Sequence, residues 1–218
     1  MAGQNRGMHL DHVIYAVGPQ GLAAEAERFE TLLGTKTIDG GIHPSFGTRI
    51  RLVPLTDGRH LEIVEVLDHP AAEKVPYGQA VRARSELGGG WLGWVVAVED
   101  MQPYEQRLDR EAVVGIRRFP DDRRLEWKQL GVKGLIADPQ LPFFIQWLSD
   151  PSVRPAALPA ELSLAALEVA GSRTRVEDWL GETVPEDFDG VRVTFDSPSG
   201  YPGVVAVTFQ TAAGPVRV

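Results

Sequence analysis

The chain of 218 residues contains no cysteine, which excludes disulfide bonds, thiolate metal ligands and a cysteine nucleophile. It also lacks an apolar run of the roughly 18 to 20 residues that a membrane-spanning helix needs, since its longest apolar stretch, residues 91–98, has the length of a strand. The net charge of -8 argues against the basic surface that nucleic acids require. With a polar segment at residues 1–7 that has no signal-peptide core, the sequence predicts a cytoplasmic protein that binds neither nucleic acid nor membrane.

Histidine and tryptophan are distributed unevenly along the chain. All five histidines lie in the first third of the sequence, and all five tryptophans lie after it. Any imidazole chemistry is therefore expected from the N-terminal third.

The N-terminal third reads as a strand, a helix and further strands. Residues 9–17 and 60–67 are rich in β-branched and aromatic residues, and residues 21–34 carry apolar side chains at helical spacing. Alternate side chains of a strand share a face, so His12 points the same way as Ile14, and His60 the same way as Glu62. If both strands belong to one curved sheet, an imidazole and a carboxylate face the same hollow.

The same order of elements recurs further along the chain, which indicates an internal structural repeat. We expect an α+β fold with two βαβββ modules, residues 8–68 and 91–149, forming a curved, cup-like sheet. After a proline-rich joint at residues 151–160, residues 160–218 read as a degenerate third β-α-β-β unit packed on the same domain.

The first module carries an ordered set of short motifs: Leu10-Asp11-His12-Val13, Phe29 to Gly34, Gly40-Gly41-Ile42-His43-Pro44, Gly47-Thr48 and Leu61-Glu62-Ile63. With these motifs it resembles the glyoxalase, bleomycin-resistance and extradiol-dioxygenase group, known as the vicinal oxygen chelate superfamily, and within it the bacterial glyoxalase-like domain proteins. The second module matches by architecture more than by motif.

The resemblance implies a divalent metal site, because the superfamily typically holds Fe, Mn, Ni or Zn with a His from a first strand and a Glu from a last strand. His12 and Glu62 match that pair, and we expect His60 as a further ligand. The second module places Gly93 or Trp94 at the position of His12, so it offers no equivalent ligand there. The third ligand must otherwise come from His43 or Gln146, or the metal is absent.

The other predicted site residues line the same cup. The resemblance implies Glu62 and His43 as catalytic residues, with His43 in a loop that closes over the site. Substrate-binding residues are expected on both modules: Arg49, Arg51, Trp94, Gln146 and Trp147. Arg49 would hold an anionic substrate group.

Each of these residues has a structural alternative. His12 could hydrogen-bond to backbone at the start of its strand, and Glu62 could form an ion pair with Arg49 or Arg51 across the hairpin. His60 could lie exposed at the sheet edge, and the aromatic residues could simply pack between sheet and helix. The arginines around residues 117–124 alternate with aspartates, which is typical of a solvated hairpin.

The resemblance thus predicts a glyoxalase-like small-molecule enzyme, assisted by a divalent metal, of the lyase, isomerase or dioxygenase type. Its substrate is expected to be small and either anionic or able to chelate through oxygen, and the protein to be a monomer or homodimer. The alternative is a non-catalytic small-molecule binding protein of the bleomycin-resistance type.

Overall fold

The computed structural model describes residues 7–119, 121–196 and 201–218, so the N-terminal segment discussed above lies almost entirely outside the described residues. Eight strands form a closed barrel in the order β1-β4-β3-β2-β6-β7-β8-β5. These strands are β1 (Met8–Ala16), β2 (Ile38–His43), β3 (Thr48–Pro54), β4 (His60–Val66), β5 (Gly90–Val98), β6 (Val113–Arg118), β7 (Arg124–Leu130) and β8 (Phe143–Trp147). The expected α+β class with a curved sheet built from two modules is confirmed.

A second sheet of five strands follows, in the order β10-β11-β9-β12-β13. Its strands are β9 (Ser163–Ala170), β10 (Asp187–Phe188), β11 (Val191–Asp196), β12 (Gly203–Thr211) and β13 (Gly214–Arg217). The helices are α1 (Gly21–Leu33), α2 (Pro70–Lys74), α3 (Pro76–Glu86), α4 (Gln102–Leu108), α5 (Gly134–Ala137) and α6 (Arg173–Leu180). None of the helices in the described part of the chain is both long and apolar enough to cross a membrane.

Helix α1 forms where the apolar spacing predicts it. Leu22, Ala26, Phe29 and Leu33 form its buried stripe, and Gly34 ends the helix in the left-handed conformation at φ 68°. The stripe packs against the outside of the barrel within one apolar cluster.

Strand β2 was not expected from the sequence, because an aspartate and two glycines within residues 38–43 disfavour a strand. Pairing on both edges stabilises this strand and joins the two modules. It pairs with β3 on one side, and Ile42 pairs with Arg118 of β6 on the other. Gly41 permits this contact. It has φ 83°, and a Cβ atom there would lie 2.1 Å from the carbonyl oxygen of Arg118.

Strand pairing decides which side chains meet inside the barrel. β1 runs parallel to β4 with His12 opposite His60 and Ile14 opposite Glu62, so these inward-facing side chains are neighbours. On the other side, β1 pairs with β5 through a bulge at Asp11, which falls between Leu10 and His12.

The second sheet shares an apolar core with the outside of the barrel. A single buried cluster contains Val13 and Ile63 of the barrel together with Leu167 of β9 and Phe209 of β12. The C-terminal unit therefore packs on the barrel and contributes no strand to it.

Candidate functional site

A small cavity of about 30 Å³ lies inside the barrel. One part of its wall is polar and carries His12, His43, His60, Glu62 and Arg117. The remaining wall is apolar or aromatic apart from the Tyr77 hydroxyl and the Gln129 amide, and consists of Phe46, Tyr77, Leu125, Trp127, Gln129, Phe143, Ile145 and Trp147. The cavity thus combines buried ionisable groups with a largely apolar surround.

Asp11 and His12 form a buried pair, because the bulge in β1 turns both side chains inward. The His12 Nδ1 atom lies 2.5 Å from Asp11 Oδ1, and Trp147 Nε1 donates to Asp11 Oδ2 at 2.8 Å. Burial raises the pKa of Asp11, but the hydrogen bond from His12, the charge interactions with His12 and His60 and the Trp147 bond lower it to about 2. An ionised Asp11 can only accept, so the proton of a neutral His12 lies on Nδ1 and Nε2 carries the free lone pair.

His60 stacks on His12, with ring centroids 4.3 Å apart and an interplanar angle of 23°. It is 2% exposed rather than lying at the sheet edge, and its Nδ1 has no hydrogen-bond partner among the described residues. Burial and the neighbouring His12 lower its pKa well below the usual value for histidine, so His60 is neutral at neutral pH.

Glu62 is buried and accepts a hydrogen bond at Oε1 from the hydroxyl of Tyr77, which lies in the first turn of α3. Burial and the charge of Glu62 raise the pKa of Tyr77 well above its usual value, so the phenol stays protonated. The predicted alternative partners of Glu62 do not reach it, since Arg49 pairs with Glu65 on the outer face of the barrel.

His43 lies at the end of β2 and not in the loop expected from the sequence. It is 3% exposed, and its Nδ1 lies 3.0 Å from Thr48 Oγ1. Burial lowers its pKa to about 4, although Glu62 acts in the opposite direction. His43 is therefore a neutral hydrogen-bonding group in the cavity at neutral pH.

Arg117 is the main cavity residue that the sequence did not identify. The prediction of a solvated hairpin was wrong for Arg117, which is only 3% exposed. Side chains alternate along β6, so the positions of Gly115 and Arg117 lie on the inner face of the barrel and that of Arg118 lies on the outer face. Burial lowers its pKa to about 10, so it remains a cation at neutral pH. Within the described chain, its Nε finds no hydrogen-bond partner.

Four of the predicted substrate-binding residues lie outside the cavity, because each occupies a strand position whose side chain points away from the barrel interior. Arg49 and Arg51 face away from the barrel interior, with Arg51 donating to Thr37. Trp94 is fully buried in the outer cluster, and Gln146 binds the backbone of Glu99 and Met101. Of the five residues in this set, only Trp147 contributes to the cavity wall.

Three potential metal-ligating side chains converge among the described residues: Asp11, His12 and His60 offer ligand atoms within 4.8 Å of one another. The predicted set of His12, Glu62 and His60 does not form such a group, and Asp11 takes the place of Glu62. Two imidazoles and a carboxylate are donor types that suit a divalent transition metal.

The orientation of the rings does not suit a shared ion. The lone pair of an imidazole nitrogen lies in the plane of its ring. The rings of His12 and His60 are stacked with their centroids 4.3 Å apart and an interplanar angle of 23°. Their planes therefore do not converge on a point within about 2.1 Å of both rings, the usual metal–nitrogen bond length. Coordination by both histidines therefore requires one ring to turn out of the stack.

Comparisons with known proteins agree with this architecture. A family model described as a glyoxalase-like domain matches residues 10–184. A solved structure of a hypothetical protein from Staphylococcus aureus is similar with a TM-score of 0.68 and 17% identity, over 94% of this chain and 92% of that chain.

Two further solved structures are more distant. Methylmalonyl-CoA epimerase from Mycobacterium tuberculosis has a TM-score of 0.44 and 16% identity, over 70% of this chain and 95% of that chain. Hypothetical protein BH1468 from Bacillus halodurans C-125 has a TM-score of 0.42 and 13% identity, over 66% and 95%. A search of curated proteins found no match. At 17% identity the similarity to the Staphylococcus aureus protein bears on the fold alone.

Proposed function

Because the chain belongs to the glyoxalase-like domain family of the vicinal oxygen chelate superfamily, we propose that it is a small-molecule enzyme that binds an anionic, oxygen-bearing substrate in the barrel cavity and moves a proton on it. One observation carries the proposal: among the described residues, the buried cation Arg117 has an N–H without a hydrogen-bond partner, and it shares the cavity wall with groups that can accept and donate protons. Buried donors that face a developing negative charge stabilise it far better than water-exposed ones.

The residues have distinct roles in this proposal. Arg117 holds the substrate oxyanion through its Nε–H. His12 is the proton acceptor at Nε2, and Asp11 is the positioning residue that fixes its tautomer and stabilises the imidazolium that forms. Glu62, with Tyr77, is the second proton-transfer group, and neutral His43 donates a hydrogen bond to the substrate.

Hydrogen–deuterium exchange on a small oxo acid tests this proposal. Pyruvate carries both an anionic group and an enolisable carbonyl, and proton NMR in D₂O follows loss of its methyl signal. We expect the wild-type protein to accelerate the exchange and His12→Ala to lower the rate by about a hundredfold or more, the usual contribution of a positioned base. Arg49→Met is the matched control, because this arginine lies outside the cavity.

The result that overturns catalysis is equally definite. If pyruvate and homologous oxo acids exchange no faster than in buffer, or if His12→Ala equals the wild type, His12 is not a base. Binding without exchange would favour the alternative, a non-catalytic small-molecule binding protein.

A metal-assisted enzyme is the second candidate, favoured by the convergence of Asp11, His12 and His60. These residues would hold an ion such as iron, manganese, nickel or zinc once His60 turns out of the stack, and the ion would supply charge stabilisation at a substrate oxygen. Elemental analysis distinguishes the candidates: stoichiometric metal in the purified protein that is lost in Asp11→Ala and His60→Ala supports the metal site. Metal at background level after supplementation contradicts it.

A further inference from the structure

A groove of about 610 Å³ lies on the surface next to the barrel cavity. Its floor is mostly apolar and includes Val75, Pro76, Val113, Leu130 and Val132. Small-molecule sites typically have volumes of about 300 to 1,000 Å³. The groove falls within this range, whereas the inner cavity, at about 30 Å³, is smaller than the lower limit by an order of magnitude. The inner cavity holds about two waters, or a head group of similar size.

Side chains form the partition between the cavity and the groove. Phe46, Tyr77 and Gln129 line both spaces. The rings of Phe46 and Tyr77 lie 5.4 Å apart, and the Tyr77 hydroxyl binds Glu62 on the cavity side. Rotation of these shared side chains is the smallest movement that would join the two spaces, because it needs no shift of the backbone.

The groove also carries a net positive charge, which attracts anions. Arg110 and Lys133 line it together with a single carboxylate, Glu111, so its ionised side chains sum to a positive charge on an otherwise acidic protein. This local charge favours the approach of an anion toward Arg117.

We infer that the groove binds the apolar body of the substrate, whose anionic head group passes between Phe46 and Tyr77 to reach Arg117. The substrate class is therefore an elongated carboxylate or oxo acid with an apolar chain, and not a molecule as small as the cavity itself. This inference rests on the proposed function, because it takes the barrel cavity as the site of the head group.

Straight-chain carboxylates of graded length, from acetate to octanoate, test the inference. Binding is measured from the indole N–H resonances of Trp127 and Trp147, which lie in the cavity wall and report on the head group. We expect the affinity to rise by about fourfold for each methylene that the groove buries, the factor expected for a methylene removed from water.

Two neighbouring valines provide a matched pair of variants. Val113 and Val114 are both exposed on β6, but only Val113 lines the groove. We expect Val113→Asn to reduce the gain with chain length while acetate binding is unchanged, because asparagine adds no charge to the groove, and Val114→Asn to behave as the wild type. Arg117→Met should abolish the binding of every chain length.

The outcomes separate the inference from the proposed function. Acetate binding with no gain in affinity for longer chains, or equal effects of the two valine variants, overturns the groove as the site of the substrate body and leaves the cavity proposal intact. Failure of acetate and all longer carboxylates to bind overturns the head-group site and the inference with it.

Discussion

At the scale of single residues, burial in the barrel fixes the protonation states of the site. His43 and His60 are neutral because desolvation disfavours their charged forms, whereas Asp11 is held as an anion by hydrogen bonds and charge interactions. Arg117 remains a cation across the cavity. The charge states of these groups are therefore set before any ligand arrives, and in the proposed function Arg117 is the cation that an anionic substrate meets.

The neutral histidines make stability depend on pH. The folded pKa of His43, about 4, lies below the ordinary value of 6.5 for histidine, so between these values the unfolded chain binds a proton that the folded chain does not. Stability is therefore full above pH 6.5 and falls as the pH drops toward 4, by up to about 3 kcal/mol for this group. His60 adds to the loss in the same direction.

Urea unfolding at pH 7.5 and pH 4.5 checks this prediction. We expect His43→Gln to lose less stability on acidification than the wild type, because glutamine carries no titrating proton. His9→Gln is the control, since His9 is exposed. An identical pH dependence in the wild type and in His43→Gln would contradict the role of burial.

Asp11 should produce a further loss at lower pH. Its folded pKa of about 2 lies below the ordinary value of 3.8 for an aspartate, so its contribution of about 2 kcal/mol is present above pH 4 and disappears as the pH falls to 2. Asp11→Asn should remove this acid-dependent component, measured by thermal unfolding between pH 4.5 and pH 2.5. An unchanged slope in that range would show that the Asp11–His12 pair does not stabilise the fold.

At the scale of elements, β2 determines whether the two modules form an open cup or a closed barrel. Its edge reaches β6 at Ile42, and the approach depends on the absence of a side chain at Gly41. Closure sets the size of the cavity, because β6 carries Arg117 to the histidines of the first module.

Gly41→Ala should therefore destabilise the barrel by about 2 kcal/mol or more, since the new Cβ meets the Arg118 carbonyl and the residue keeps a positive φ. Gly190→Ala isolates the effect of φ alone: its φ is 78°, and no described atom lies within 4 Å of the added carbon. Denaturant unfolding of both variants measures the difference. Equal losses would mean that the contact at Gly41 imposes no steric constraint.

At the scale of the whole molecule, the barrel and the second sheet are held together by apolar packing and by hydrogen bonds, among them those of the buried Arg59. Arg59 is 5% exposed and donates to the carbonyl oxygens of Leu10 in β1 and Asp189 in the β10–β11 turn. The backbone N–H of Leu10 in turn donates to the Asp189 carboxylate. A shared core of this kind predicts one cooperative unfolding unit.

Arg59→Met should lower the unfolding free energy by about 3 kcal/mol, because two buried carbonyls lose a charged donor. Differential scanning calorimetry should show one transition in both proteins, shifted to lower temperature in the variant. Arg49→Met, which removes an exposed ion pair, should shift it by much less. A second transition in Arg59→Met would show that the two units unfold independently.

The sequence by itself determined the repeat of elements and the faces of the strands. Alternation alone placed His12, His60 and Glu62 toward one hollow, and the structure finds all three in the cavity wall. Local periodicity suffices for this, because the pleat of a strand fixes which side chains share a face.

Only the tertiary structure decided which face is inside and what lies opposite. Arg49 and Arg117 both lie in strands that carry a second arginine, Arg51 in β3 and Arg118 in β6, and the chain pattern does not distinguish the exposed Arg49 from the buried Arg117. A bulge brings Asp11 into the site, helix α3 brings Tyr77 onto Glu62, and closure of the barrel between β2 and β6 brings Arg117 there. These placements depend on contacts between residues far apart in the chain, which periodicity within one strand does not encode.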